Sequence, residues 1–251
     1  MTMLASAALN EYIMNPIKIA MPSIRNPTIL FFMVFISHLY LNFMEDLLKF
    51  AESQLKCDLK KQVDSRIREF KKLGEMPSNE IFKELCFCIL TANYTAEGGI
   101  RIQKEIGNGF LTLSESELAK KLKALGHRFP NIRAKYIVQA RSKKDDLIKI
   151  INSCKGEKEI REWIVKNVKG LGYKESSHFL RNIGFENLAI VDFHIIDILE
   201  KYRLIKRPKT LTRKKYLEIE NILKEIAKKL DITPAELDLY LWCAETGKVL
   251  K

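Results

Sequence analysis

The sequence predicts an all-α fold, and three observations carry that expectation. Apolar residues recur at helical spacing through 44–73, 78–92, 95–106, 114–125, 131–151 and 157–168. Glycines at 74, 107, 109, 126 and 156 punctuate those runs, and glycine ends helices because it takes left-handed backbone angles at little steric cost. No alternation of apolar and polar residues is long enough to demand a sheet. The chain shows neither a repeat of solenoid period nor a long low-complexity linker, so its 251 residues fit one large domain or two small ones.

Residues 1–43 differ from the rest. They hold only Lys18, Arg25 and Glu11, a net charge of +1 out of the chain's +12. Thr28 to Met44 reads TILFFMVFISHLYLNFM, without a formal charge, slightly short for a spanning helix and carrying His38 and Asn42. A membrane anchor, a signal-like segment and sequence upstream of the true start are the three readings. No small-residue cleavage site follows the apolar run, which counts against a signal peptide. The expectation is the third: Met44-Glu45-Asp46 opens a patterned amphipathic helix, and 44–251 is the working domain.

From there each element has its own signal. Pro77 and Ser78 mark a helix start, with Ser78 as its cap. Leu85 to Gln103 is an apolar helix, a small polar loop (Thr91-Ala92-Asn93-Tyr94-Thr95) and a second helix. As a plain helix corner this loop needs only Thr95 as a cap. Gly126 to Arg141 gathers His127, Arg128, Arg133, Lys135 and Arg141 around Phe129 and Tyr136. Such a run is a solvated basic face or a nucleic-acid surface. Glu157 to Val168 is helical, Gly170-Leu171-Gly172 stops it, and the pattern resumes from Lys174 with Phe179, Leu180 and Ile183 on one face. A glycine hairpin of this kind turns unpaired amides outward at the start of its second helix, where they and the helix dipole suit a phosphate.

Lys174 falls in that helix's first turn. A cation is unfavourable there, so the dipole favours the neutral amine a nucleophilic lysine requires. The bland alternative is a solvated surface lysine. Eighteen residues on, Asp192 precedes the amphipathic run Phe193–Leu199 and reads as an N-cap. Capping would also hold a catalytic carboxylate ionised and in place. Lys206, Arg207, Lys209, Arg213, Lys214 and Lys215 form a basic tract before a helix whose Leu217, Ile219, Ile222, Leu223 and Ile226 face a core. The last helix opens at Thr233-Pro234, with Thr233 as cap and Pro234 at its first position, holds Trp242 in an apolar stretch, and stops at Gly247.

The pI near 9.4 points to a polyanionic partner, nucleic acid most simply, although anionic membranes also attract basic proteins. The cysteines, at 57, 86, 88, 154 and 243, make no CxxC and no four-cysteine cluster, so no iron–sulfur cluster is expected. The histidines at 38, 127, 178 and 194 lack zinc-ligand spacing. An odd cysteine count without a disulfide pattern fits a reducing cytoplasm.

Lys169-Gly170-Leu171-Gly172-Tyr173-Lys174 followed by Val191-Asp192-Phe193-His194 resembles the helix-hairpin-helix DNA glycosylase superfamily. That superfamily carries an LPGVGxK hairpin and then a VDxH segment. Within it, the chain is most similar to the archaeal type of 8-oxoguanine DNA glycosylase/AP lyase. Lys169 stands where the family has proline, which costs the turn some rigidity. The resemblance covers about 44–251 and includes the RFPN-x-RA-x-YI stretch from Arg128.

The resemblance implies a two-lobed helical bundle of the endonuclease III-like glycosylase fold. It implies removal of 8-oxoguanine by Lys174 with Asp192 assisting, then strand nicking by β-elimination through a lysine Schiff base. No cofactor and no metal are expected. The partner is double-stranded DNA containing an oxidised purine, gripped by Gly170, Leu171, Gly172, His194, Asn93, Arg128 and Arg133. Asn93 matches an amide that fills the gap left by an extruded base. Trp242, Phe129 and the terminal Lys251 are the expected base-recognition residues, with the Lys251 carboxylate as acceptor for the hydrogen on N7. A monomer in the cytoplasm, associated with the nucleoid and without a membrane partner, is expected. Two other readings stay open: the same chemistry on another oxidised base, and a non-catalytic helix-hairpin-helix DNA-binding module.

Overall fold

The structure, a computed structural model, describes residues 27–55, 57–153 and 156–251. Residues 1–26 of the apolar extension and Cys154 lie outside the described residues. Among those described every regular element is helical. In chain order they are α1 (Pro27–Gln54), α2 (Cys57–Gly74), α3 (Ser78–Thr91), α4 (Ala96–Ile106), α5 (Gly109–Thr112), α6 (Glu115–Ala124), α7 (Pro130–Arg141), α8 (Lys144–Ser153), α9 (Glu157–Asn167), α10 (Tyr173–Asn182), α11 (Phe193–Lys201), α12 (Arg213–Lys229) and α13 (Pro234–Thr246).

The helices form two lobes. The first closes around α3, whose Phe82, Leu85, Phe87, Ile89 and Leu90 are wholly or almost wholly buried and packed by residues of α4 to α10. The second is built from both ends of the described chain. Met44 and Leu47 of α1 meet Ile195, Ile198 and Leu199 of α11, Ile219, Leu223 and Ile226 of α12, and Leu241 of α13. Val63, Ile67 and Phe70 of α2 add a smaller core against Leu239 and Tyr240 of α13. Burial of these apolar faces is the main stabilising term, about 25 cal/mol per Å² removed from water.

Several boundaries differ from the sequence reading. Met44 does not open a helix: α1 begins at Pro27 and passes through Met44 unbroken, because no glycine or proline interrupts the run. Its Tyr40 and Phe43 already pack on the second core. The run 44–73 is two helices, broken at Leu55, and 131–151 is two, broken at Ser142 and Lys143. Apolar periodicity passed through both breaks in phase. Ser78 does not cap α3, since the cap position falls on Pro77 and makes no side-chain bond. Thr95, Asp192 and Thr233 do cap, the last in a reciprocal box with Glu236 and with Pro234 at the first helical position. Cys86 and Cys88 are buried in α3 as core thiols. No helix among the described residues is long and apolar enough to cross a membrane.

Candidate active site

Between the lobes lies a cleft of about 930 Å³. The α3–α4 loop (91–97) and Arg128 form one wall, α10 and the start of α11 the floor, and α13 with the chain's last two residues the other wall. Its lining includes Lys174, Asp192, His194, Asn93, Arg128, Trp242 and Lys251. A concavity of similar size, about 990 Å³, sits on the far side around Glu157 and Lys224. It holds none of the candidate catalytic, DNA-binding or base-recognition residues.

The hairpin joins α9 to α10. Gly170 has φ +89°, and a Cβ there would stand 2.5 Å from the Tyr136 ring. Only glycine meets both conditions. Leu171 is 4% exposed and anchors the hairpin in the first lobe's core, so its expected contact with DNA is one its backbone alone can make. The Gly172 amide is not free: it donates to the Glu175 carboxylate at 3.3 Å, a capping arrangement for α10. Lys174, the second residue of α10, has Nζ 3.8 Å from Glu175 and is partly exposed into the cleft.

Asp192 reaches the cleft from the next element. Its Oδ1 accepts the Ile195 amide at 2.9 Å and caps α11. Phe193, beside it, is 63% exposed at the rim and stacks on His194 with ring centroids 4.0 Å apart.

The polar loop opposite is braced from behind. Asn93 takes φ +58° and is exposed. The preceding carbonyl, of Ala92, accepts from Arg133 at 2.5 Å. His127 accepts the Phe129 amide on Nδ1, which leaves its Nε2 to donate to the Leu90 carbonyl, both at 3.0 Å. Burial lowers the His127 pKa, in keeping with this neutral tautomer. Tyr94 packs on His127 and donates its hydroxyl to the Gly126 carbonyl. Two expectations are corrected here. Arg133 is 7% exposed and turned into the protein, because an otherwise orphaned carbonyl takes its guanidinium; it is a brace for the loop, not a surface contact for phosphate. Phe129, the residue before α7, does not line the cleft; it is 36% exposed, with the Arg128 guanidinium 5.0 Å from its ring centre. Arg128 itself is exposed and lines the cleft.

The opposite wall holds Trp242, which is half-buried and not a core residue. Beneath it Asp238 pairs with Arg181, and Arg181 also donates to Asn182. Burial pushes the Asp238 carboxyl up to about 6, aided by the charge of Asp192 and opposed by Arg181 and Lys174. One turn below Lys174, His178 is 9% exposed and its pKa is well lowered, by burial first and then by Arg181, Lys174 and Lys251. Sequence reasoning missed Asp238, Arg181 and His178. The only signal was an aspartate and an arginine on apolar helix faces.

The geometry thus gathers an amine, a capping carboxylate, a half-buried indole and the chain terminus around one concavity. A family model, Ogg-HhH, described as 8-oxoguanine DNA glycosylase, matches residues 63–232. The chain belongs to the 8-oxoguanine DNA glycosylase family. It is 55% identical over 206 residues to the 8-oxoguanine DNA glycosylase/AP lyase of Methanocaldococcus jannaschii, covering 82% of this chain and 99% of that one. It is 57% identical over 190 residues to the Korarchaeum cryptofilum enzyme of the same name, covering 75% and 90%. The crystal structure of the M. jannaschii glycosylase/lyase in complex with a 15mer DNA containing 8-oxoguanine superposes with a TM-score of 0.79, over 82% of this chain and 99% of that one. The glycosylase of Thermotoga maritima superposes at 0.78 with 46% identity, over 83% and 100%. The two-lobed helical architecture is therefore the family's own.

Proposed function

We propose that this protein removes 8-oxoguanine from duplex DNA and then nicks the strand as an AP lyase. The observation that carries the reading is Lys174 and Asp192 lining one inter-lobe cleft, from two different elements, with an aromatic side chain and the chain terminus opposite. The relatives' names and the DNA complex of the M. jannaschii protein supply the substrate class.

The chemistry follows from those groups. The lesion nucleotide is extruded into the cleft, at a cost of a few kcal/mol for unstacking. The lone pair of neutral Lys174 Nζ forms a bond to C1′ as the glycosidic bond breaks, and the base leaves with the electron pair of that broken bond. Asp192 stabilises the positive charge developing on the sugar and takes a proton from the nitrogen. The nitrogen lone pair then opens the sugar ring, O4′ takes the proton held by Asp192, and a protonated imine is left between Nζ and C1′. Loss of the C2′ proton then expels the 3′ phosphate, with the imine as electron sink. The amine supplies that sink, so the reaction needs no organic cofactor. Asn93 fills the space the base vacates, and Arg128 and His194 hold flanking phosphates. Trp242 stacks on the extruded base and the Lys251 terminus reads its edge. The Gly170–Gly172 amides take a phosphate once Glu175 is displaced.

Residues 44–251 are the catalytic unit, acting as a monomer on nucleoid DNA, and 1–43 are an extension to it whose Tyr40 and Phe43 pack on its second core. An intact-mass measurement on protein from its native source reads which start is used. The function itself is tested on duplexes carrying single lesions. Release of free 8-oxoguanine with a nick 3′ to the lesion is expected, and release of an oxidised pyrimidine alone would reassign the substrate. Tight binding without release would reduce the protein to a DNA-binding module.

A further inference from the structure

We infer that Glu84 and Gln103 form a socket for the Lys251 side chain, and that Glu84 is thereby a specificity-determining positioning residue for the base-reading terminus. The inference rests on the tail's role proposed above and adds the group that holds the tail in place.

Glu84 lies in the middle of α3 among fully buried neighbours and is itself 2% exposed. A carboxylate so placed is costly unless it is paired and hydrogen-bonded. Its Oε1 accepts from Asn182 Nδ2 at 2.7 Å. Its Oε2 accepts from Gln103 Nε2 at 3.0 Å and from Lys251 Nζ at 2.7 Å. The amide oxygen of Gln103 accepts a second bond from Nζ at 2.5 Å, and the ammonium sits 4.3 Å from the centre of the Phe87 ring. The counter-ion of this buried acid is thus the last side chain of the protein, 167 residues away.

A chain end frays unless something ties it down. Here the tail leaves α13 in the second lobe and is tied at three successive points. Lys248 pairs with Glu97 at 2.9 Å, the Val249 carbonyl accepts from Arg66 at 3.3 Å, and Lys251 enters the socket in the first lobe. The Lys248 pair is more than half exposed and contributes little. The socket is the buried contact, with Glu84 almost sealed and Lys251 18% exposed. Leu250 and Lys251 line the cleft together with His178. The terminus is therefore registered to α3 and α4, while Trp242 is registered to α13. A group that must read one edge of a base needs such registration, since a shift of about 1 Å at a reacting site costs on the order of a hundredfold.

The test is a cycle on lesion selectivity, the ratio of single-turnover excision rates for 8-oxoguanine and guanine. It uses the full chain, Glu84→Gln, deletion of Val249–Lys251, and both changes together. Glu84→Gln should lower the ratio about tenfold or more, the effect of one lost charge-assisted hydrogen bond. It should lower it no further when the tail is already absent. A ratio unchanged by Glu84→Gln but collapsed by the deletion would overturn the socket and leave the tail's role intact. A ratio unchanged by the deletion would overturn the tail's role, and the socket's part in specificity with it. A purely structural Glu84 would slow excision of both bases alike and add to the deletion, which also contradicts the inference. Carboxypeptidase B reads the geometry without activity: Lys251 should be released about tenfold or more faster from Glu84→Gln than from the parent, and equal release would overturn the socket.

Discussion

Asp192 caps a helix and, in the proposed reaction, also serves the chemistry. Its bond to the Ile195 amide caps α11, and the same carboxylate opens onto the cleft that holds Lys174. Asparagine caps as well as aspartate, so Asp192→Asn removes the charge and keeps the helix. Single-turnover base excision should then fall roughly a hundredfold or more, with DNA affinity little changed; an unaltered excision rate would remove Asp192 from the mechanism. Asp238 makes a pH prediction. Its folded carboxyl titrates near 6, above an unfolded value of 3.8, so the native state holds the proton through that window. Acidification from about pH 7 to pH 5 should therefore stabilise the parent relative to Asp238→Asn, by roughly 1 kcal/mol. Urea unfolding of both proteins across that range reads it, and an opposite sign would mean the Arg181 pair outweighs burial. The helix-start positions of Lys174 and Asp192 were legible in the sequence because local residues announce each start. Glu84, Asp238, Arg181 and His178 were not, because each owes its meaning to a neighbour from a distant helix.

At the scale of elements, the hairpin is the part the sequence describes most fully. Gly170 is required by a positive φ and by the Tyr136 ring packed against it. Gly170→Ala should cost about 1–3 kcal/mol in backbone strain and displacement of that ring, and should weaken DNA binding while a lysine still stands at 174. Full affinity in a stably folded Gly170→Ala protein would show that the hairpin does not grip the backbone. What spacing could not give was the occupant of the Gly172 amide. Glu175 accepts it in the structure, at the position where we propose a phosphate. Nor could charge alone separate Arg128, which faces the cleft, from Arg133, which is consumed in bracing the Asn93 loop. Both lie in one basic run, and only the packing of α7 on α3 distinguishes them. Helix boundaries at Leu55, Ser142 and Lys143 were missed for a related reason: successive helices kept their apolar faces in phase across a short break.

At the scale of the molecule, the first lobe contributes the hairpin, the Asn93 loop and the Glu84 acid, and the second contributes Asp192, Trp242 and the terminus. The all-α class followed from periodicity, but the closing of both ends of the described chain into one lobe did not, since contacts of such sequence separation leave no local trace. The net charge of +12 makes affinity for duplex DNA strongly salt-dependent. The basic tract is partly spent within the protein: Arg207 pairs with Asp197 and Glu200, and Arg213 with Glu162. Lys206, Lys209 and Lys214 remain exposed. Lys209→Ala should make the plot of log affinity against log salt shallower by about one unit while preserving lesion preference; an unchanged slope would place the DNA elsewhere. In the proposed reaction Lys174 becomes covalently joined to the sugar. This step is tested most directly by borohydride reduction of the protein mixed with a duplex containing one 8-oxoguanine, beside Lys174→Gln. A stable protein–DNA adduct is expected with the parent and none with the variant, which should still bind the duplex. An adduct that persists in Lys174→Gln, or none with an actively excising parent, would contradict this step.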